Sequence, residues 1–272
     1  MPLVVVNSGT LPEAWEKSIV ETWYKGIIID TEYNERSKDV SIIIKVEDPL
    51  KEPRVHLKGI IAGRLSGLFE YVDEVLKGIH DDKVEEYGYT YHERLFRYTV
   101  IEGRPLLSSL PEFLRPFVLA EAENPVTGIR MVFFKRVIDQ IQYIIDKLKK
   151  APYSRRAQAI TWQPWKDIHT DHPPCLQRIW CRVIDGKLAM HVHMRSNDAM
   201  KASFMNMFAF TELQKYIAEK LGVDVGYYMH IADSYHIYES DWKWAEKFVE
   251  QIETGKSKKY WMSAEALKKR CR

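Results

Sequence analysis

Apolar residues recur at helical spacing over residues 11–26 (LPEAWEKSIVETWYKG), and this pattern predicts a helix ending at Gly26. The next segment, Asp39–Val46 (DVSIIIKV), is rich in β-branched residues and predicts a strand closed by the Glu-Asp-Pro turn. A second helix is predicted from about Leu65 to Leu76, with Gly78 just beyond its end. The stretch GYTYHERLFRY mixes aromatic and basic residues without a clear period. PEFLRPFVLAEAENPVTG, with its three prolines, predicts an irregular connection. From Ile129 to about Lys149 the spacing predicts one long amphipathic helix, whose basic KLKK end suits the helix dipole. A short strand is predicted at Ala157–Trp162, and then the strongest turn signal in the chain follows. LQRIWCRVI and KLAMHVHM flank Asp185-Gly186, a pair that favours a type I′ hairpin turn. Phe204–Leu221 predicts a helix capped by Gly222, Val225–Ile231 a strand, and another helix starts near Asp241.

Strands and helices in mixed order, around an antiparallel hairpin, predict an α+β fold rather than a doubly wound parallel sheet. The 272 residues are enough to bury a full core, as one large domain or two small ones. With 46% hydrophobic and 29% charged residues and a formal net charge of +2, the chain lacks the basic excess of a bulk nucleic-acid or membrane-surface binder. No nucleic-acid or membrane partner is therefore expected. The beginning, MPLVVVNSGT, has no charged n-region followed by a long apolar stretch. Cys175, Cys181 and Cys271 form no disulfide framework and no CxxC pair, so no metal site is expected and a reducing cytoplasm is the expected home.

Cys175 follows His172-Pro173-Pro174, and two prolines exclude helix and pre-set an extended chain. The thiol should therefore sit on a stiff loop leading into a strand. Because the hairpin folds back at Asp185-Gly186, Arg195 should return to the end of the sheet where Cys175 begins. A guanidinium beside a thiol favours the reactive thiolate. Arginines gathered with a serine hydroxyl can also hold a phosphate.

The elements YSRR (153–156), HPPC (172–175), MRSND (194–198), Asn206 and DSYHIY (233–238) resemble, in order and spacing, the signatures of thymidylate synthases and their relatives, the pyrimidine nucleotide hydroxymethylases. The first half matches more loosely, and looks most like compact archaeal-type members, with YxxRL at Tyr91–Leu95. The resemblance implies a single domain over residues 1–272, with the motif-bearing portion at 153–238, and a mixed central sheet with flanking helices. It also implies a homodimer built sheet to sheet, with Arg155 and Arg156 reaching into the partner's site.

The resemblance further implies one-carbon transfer to C5 of a pyrimidine nucleoside monophosphate, with 5,10-methylenetetrahydrofolate as co-substrate. Cys175 would add to C6 of the ring. Arg195, Ser196, Arg155 and Arg156 would hold the phosphate, with Arg195 also lowering the thiol pKa. Asn206 would read the base, since a carboxamide can accept from uracil N3–H while donating to O4. His236 and Tyr238 would bind the sugar 3′-hydroxyl, and Asp198 would contact the pterin. For the proton leaving C5, Glu70 and Glu74 compete, with Glu70 taken first, and Tyr91 is the accompanying tyrosine.

Four departures bear on the last step. Leu176 stands where a histidine is usual, MRSND looks more like the phage hydroxymethylase, the shielding tryptophans before Tyr91 have no clear counterpart, and the tail AEALKKRCR is not a short apolar one. Water exclusion protects methylation, so a hydroxymethylase stands as the alternative to a thymidylate synthase acting on dUMP. A non-catalytic nucleotide-binding relative is a weaker alternative.

Overall fold

The computed structural model describes residues 1–61, 64–106 and 110–271. At its centre is a mixed seven-stranded sheet in which Leu3–Ser8, Arg36–Val46, Asp224–Tyr238, Lys187–Asp198, Leu176–Ile184 and Gln158–Ile160 lie in that order. The strand Ile27–Asp30 adds to the Arg36–Val46 strand. Leu3–Ser8 runs parallel to Arg36–Val46 and Lys187–Asp198 parallel to Asp224–Tyr238, while the other neighbours are antiparallel. The chain is thus α+β, as the order of its elements implied.

Period-two alternation sets the faces of the sheet. Val40, Ile42, Ile44 and Val46 are buried, whereas Ile43 and Lys45 on the opposite face are only half-covered. The helices Leu11–Lys25 and Ser203–Leu221 cover the buried face with Trp15, Ile19, Phe204 and Phe208. Ser203–Leu221 is apolar around most of its circumference over its first turns, so it is enclosed rather than striped. The hairpin forms as expected, with φ of 49° at Asp185 and 75° at Gly186, the paired positive values of a type I′ turn.

Two expectations are corrected, and one undecided stretch is resolved. Arg130–Ile138 is a strand, and the helix begins only at Gln140, because Asp139 caps it by accepting from the Gln142 N–H. Within the proline-rich stretch, Val118–Glu123 is a strand that pairs with Arg130–Ile138, as Tyr98–Pro105 does on its other side. The undecided GYTYHERLFRY divides at Arg97 into a short helix, Tyr91–Phe96, and the start of the Tyr98–Pro105 strand.

Two buried polar knots fix the periphery. Arg94, fully buried, grips Asp167 with two hydrogen bonds of 2.7 and 2.9 Å and also donates to the Thr161 carbonyl. At the other end, His56 Nδ1 accepts from the Lys58 N–H, so its Nε2 carries the proton and donates to Glu16 at 3.0 Å. Trp261 Nε1 donates to the same oxygen at 2.8 Å, pinning the C-terminal strand Trp261–Met262 beside Val55–His56. Leu267 buries the helix Ala264–Arg270, and Arg272 lies outside the described residues. No helix among the described residues is long and apolar enough to cross a membrane.

Candidate active site

Cys175 ends the Pro-Pro loop one residue before the strand Leu176–Ile184 and lines a cavity of about 700 Å³. Arg195 clasps this loop. Its backbone N–H donates to the Cys175 carbonyl at 2.8 Å, while Nε and Nη2 donate to Pro174 and Pro173 at 3.1 and 2.7 Å. Nη1 has no partner among the described residues, so one edge of the guanidinium remains for the cavity it lines. Burial pushes the Cys175 thiol up, and the Arg195 charge offsets this only in part. The thiol-lowering pull expected of Arg195 is present, but burial outweighs it.

Ser196 lies beside Arg195 on the cavity wall. Arg155 and Arg156 do not line the cavity of their own chain. They are exposed on the turn before Gln158–Ile160, where the Arg155 carbonyl accepts from Trp180 Nε1 and the Arg156 carbonyl from the Tyr143 hydroxyl.

At the opposite end Asn206, buried on the enclosed helix, accepts at Oδ1 from the Tyr71 hydroxyl at 2.6 Å. Tyr71 and Glu74 share the helix Gly67–Lys77 and both line the cavity. Glu70 does not line it: it is exposed, bonded to Ser66 and near Arg64. The helical period explains the difference, since Glu74 is three residues from Tyr71 on the cavity face, whereas Glu70 is offset by about 100°. Glu74 holds His80 Nδ1 at 2.8 Å. Tyr91 opens its helix through the Thr90-x-x-Glu93 signature, in which Thr90 accepts from the Glu93 N–H. Its hydroxyl accepts from the Leu176 N–H at 3.3 Å, beside the thiol, and its ring lies 5.6 Å from that of Tyr89. Burial pushes Tyr71, Tyr89 and Tyr91 up, so all three hydroxyls stay protonated as donors.

His236 and Tyr238 lie on the last central strand with ring centroids 4.7 Å apart. The Ser234 hydroxyl donates to Asp39 at 2.6 Å, so at 3.2 Å it accepts from His236 Nδ1. His236 Nε2 is then the bare acceptor. Burial pushes the His236 pKa down, with Asp39 opposing, which keeps the ring neutral. Asp198 accepts at Oδ1 from the Met200 and Lys201 N–H groups, both at 2.9 Å, and burial pushes its carboxyl up.

With this geometry in place, comparison with known proteins is informative. The thymidylate synthase family model matches residues 83–269. The chain belongs to the thymidylate synthase family. Among similar relatives, a Methanocaldococcus jannaschii protein is 30% identical over 255 residues, covering 90% of this chain and 96% of its own length. Proteins of Methanosarcina mazei and Methanosarcina barkeri are 25% and 26% identical, each covering 91% of this chain and 95% of the relative. Each of the three is described as "Putative thymidylate synthase".

Within the thymidylate synthase family frame, the residues gathered from distant motifs (Tyr91, Cys175, Arg195, Ser196, Asp198, Asn206, His236 and Tyr238) share one cavity. Sequence reasoning missed Tyr71, Tyr89, Asp39 and Ser234, which lie on the same wall. A tyrosine-rich YGYTY run was visible before Tyr91, but Asp39 read only as the start of a strand. Among the described residues, no group of three or more His, Cys, Asp or Glu side chains is placed to hold a metal ion.

Proposed function

We propose that this chain is a one-carbon transferase of the thymidylate synthase type, acting on a uracil nucleoside monophosphate, with dUMP the first choice. One observation carries the reading: the Cys175 thiol shares a single cavity with the free edge of Arg195 and with the buried carboxamide of Asn206. A nucleophile, an anion holder and a base reader stand around a space within the roughly 300–1,000 Å³ usual for small-ligand sites.

In this reading Arg195 Nη1 and Ser196 hold the phosphate, and His236 Nε2 accepts from the 3′-hydroxyl. Asn206 accepts from N3–H and donates to O4. Cys175 adds to C6, forming the Sγ–C6 bond and moving an electron pair through C5 onto O4, where Asn206 meets the developing charge. Glu74 replaces Glu70 as the carboxylate that would organise proton removal from C5, with Tyr91 on the same cavity lining. The Cys175 sulfur then leaves C6 as the ring regains its double bond.

Methylenetetrahydrofolate, when bound, would supply the one-carbon unit and, for methylation, a hydride. The residues fit such a ligand: Tyr87 and Tyr89 give the cavity a flat aromatic wall, and Asp198 keeps one carboxylate oxygen beyond its turn.

A hydroxymethylase is the second reading, favoured by the position of the C-terminal segment. That segment is held at Glu16 and Glu52, and residues 239–271 contribute nothing to the cavity lining. In this reading water reaches the carbon newly attached to C5 in place of hydride. Oxygen-18 water decides between the two readings. A methylated, unlabelled product accompanied by dihydrofolate supports the first reading, and a labelled hydroxymethyl product overturns it. Preference for CMP or dCMP would overturn the role given to Asn206.

We further propose a homodimer across the less-covered sheet face, where Leu3 and Val5 are each 67% exposed, with Arg155 and Arg156 completing the partner's phosphate site. Mixing Arg156→Ala with Cys175→Ala protein should then restore activity after subunit exchange. No recovery would place the arginines outside the site.

A further inference from the structure

Behind the cavity wall lies a polar chain that the reaction as described does not use. Asn197, 3% exposed, lines the cavity between Ser196 and Asp198. Its Oδ1 is 2.8 Å from His230 Nε2. A carbonyl oxygen can only accept, so Nε2 carries the proton. His230 is wholly buried and its pKa is pushed down to about 3, chiefly by that burial. The ring is therefore neutral and Nδ1 is bare. The Tyr228 hydroxyl, 2.9 Å from Nδ1, must donate to it. Polarity thus runs one way, from Tyr228 through His230 to Asn197. The chain ends at the Asn197 amide nitrogen, which has no partner among the described residues.

Asn206 repeats the arrangement. Its oxygen is held by Tyr71, and its amide nitrogen also has no partner among the described residues. Burial holds the Tyr228 hydroxyl protonated, with Tyr71 adding to the effect.

We propose that Asn197 is a second reader of the base, its amide N–H donating to a ring carbonyl oxygen of the pyrimidine. Uracil presents O2, N3–H and O4 along one edge, and one carboxamide can meet only two adjacent groups. The remaining carbonyl needs another donor. Asn197 is a buried donor on that wall, with its oxygen already engaged by His230. With Asn206 on N3–H and O4, the carbonyl left for Asn197 is O2. The proposal rests on the nucleotide reading of the cavity.

The test measures binding of dUMP, 2-thio-dUMP and 4-thio-dUMP by calorimetry to wild type, Asn197→Ala and Tyr228→Phe, with a melting curve for each protein. A thiocarbonyl is a poor acceptor, so sulfur at the contacted position makes the asparagine irrelevant. Asn197→Ala should weaken dUMP by about tenfold or more. For 2-thio-dUMP, wild type and variant should bind within about twofold, whereas 4-thio-dUMP should keep the penalty. Tyr228→Phe keeps the shape but frees the tautomer, and should show a smaller loss confined to the same ligands. Unchanged dUMP binding by Asn197→Ala overturns the proposal. So does an equal penalty on all three ligands, which would mark a structural role. Failure of wild type to bind any of the three overturns the nucleotide reading itself, and this inference with it.

Discussion

The Tyr71 hydroxyl donates to Asn206 Oδ1 at 2.6 Å, and both residues line the cavity that holds the Cys175 thiol. The bond sets which way the carboxamide faces, with the nitrogen left for the cavity. Tyr71→Phe should therefore lower kcat/KM for a uracil nucleotide by about tenfold while the fold is retained, the usual effect of losing one buried partner. Asn206→Asp should erode uridylate use and gain cytidylate use, because a carboxylate suits the N4 amino donor and repels O4. Steady-state kinetics on UMP, dUMP, CMP and dCMP check both, and unchanged base preference would contradict them.

Cys175→Ser should abolish release of tritium from C5 while leaving nucleotide binding largely intact. Serine matches the thiol in size but lacks its nucleophilicity without a dedicated base. Cys181 is fully buried in mid-strand, so Cys181→Ala should retain activity.

Thiol ionisation gives a prediction with a definite sign. Burial disfavours the thiolate and raises the Cys175 pKa, while the cation of Arg195 favours the thiolate and lowers it. In the free protein less than about 10% of Cys175 should be ionised at pH 7, since even an ordinary thiol near 8.5 is only a few per cent ionised there. Iodoacetamide should modify Cys175 increasingly as pH rises, and Arg195→Met should move that curve to higher pH. Peptide mass spectrometry in a Cys271→Ser background reads it site by site. A curve moving to lower pH would contradict this account.

The hairpin was legible because Asp185-Gly186 is a local signal: two positive φ angles and two apolar runs specify it without help from the rest of the chain. Cys175 and Arg195 stood out for a different reason, since a thiol after two prolines and a guanidinium returning beside it carry chemistry in residue type. Asn206 and His236, by contrast, were singled out only by the family resemblance. Arg130–Ile138 misled because its apolar positions also satisfy helical spacing. Its strand character comes from pairing with Tyr98–Pro105 and Val118–Glu123, partners that no local window contains. The same holds for Tyr71, Asp39 and His230, which matter through contacts with residues far along the chain. Glu70 and Glu74 could be separated only once the orientation of their helix was known.

Arg94 should prove essential to the fold. Its guanidinium is completely buried against Asp167 and the Thr161 carbonyl, and it fastens the helix carrying Tyr91. Arg94→Met leaves the Asp167 carboxylate buried and unpaired, a situation that typically costs about 3–5 kcal/mol. Urea unfolding should register most of that loss. The paired change Arg94→Met with Asp167→Leu should recover part of it.

The clasp of Arg195 on Pro173 and Pro174 has a consequence for how such a site can change over time. A guanidinium is a rigid plane, so a pull on one edge tilts the other. In the proposed reading, an anion settling on Nη1 would bear on the two prolines that precede Cys175. Grip on the far end of a ligand and the angle of attack at the near end would then be one mechanical coordinate. A lineage drifting toward a ligand with a different anion would have to re-aim its nucleophile as well.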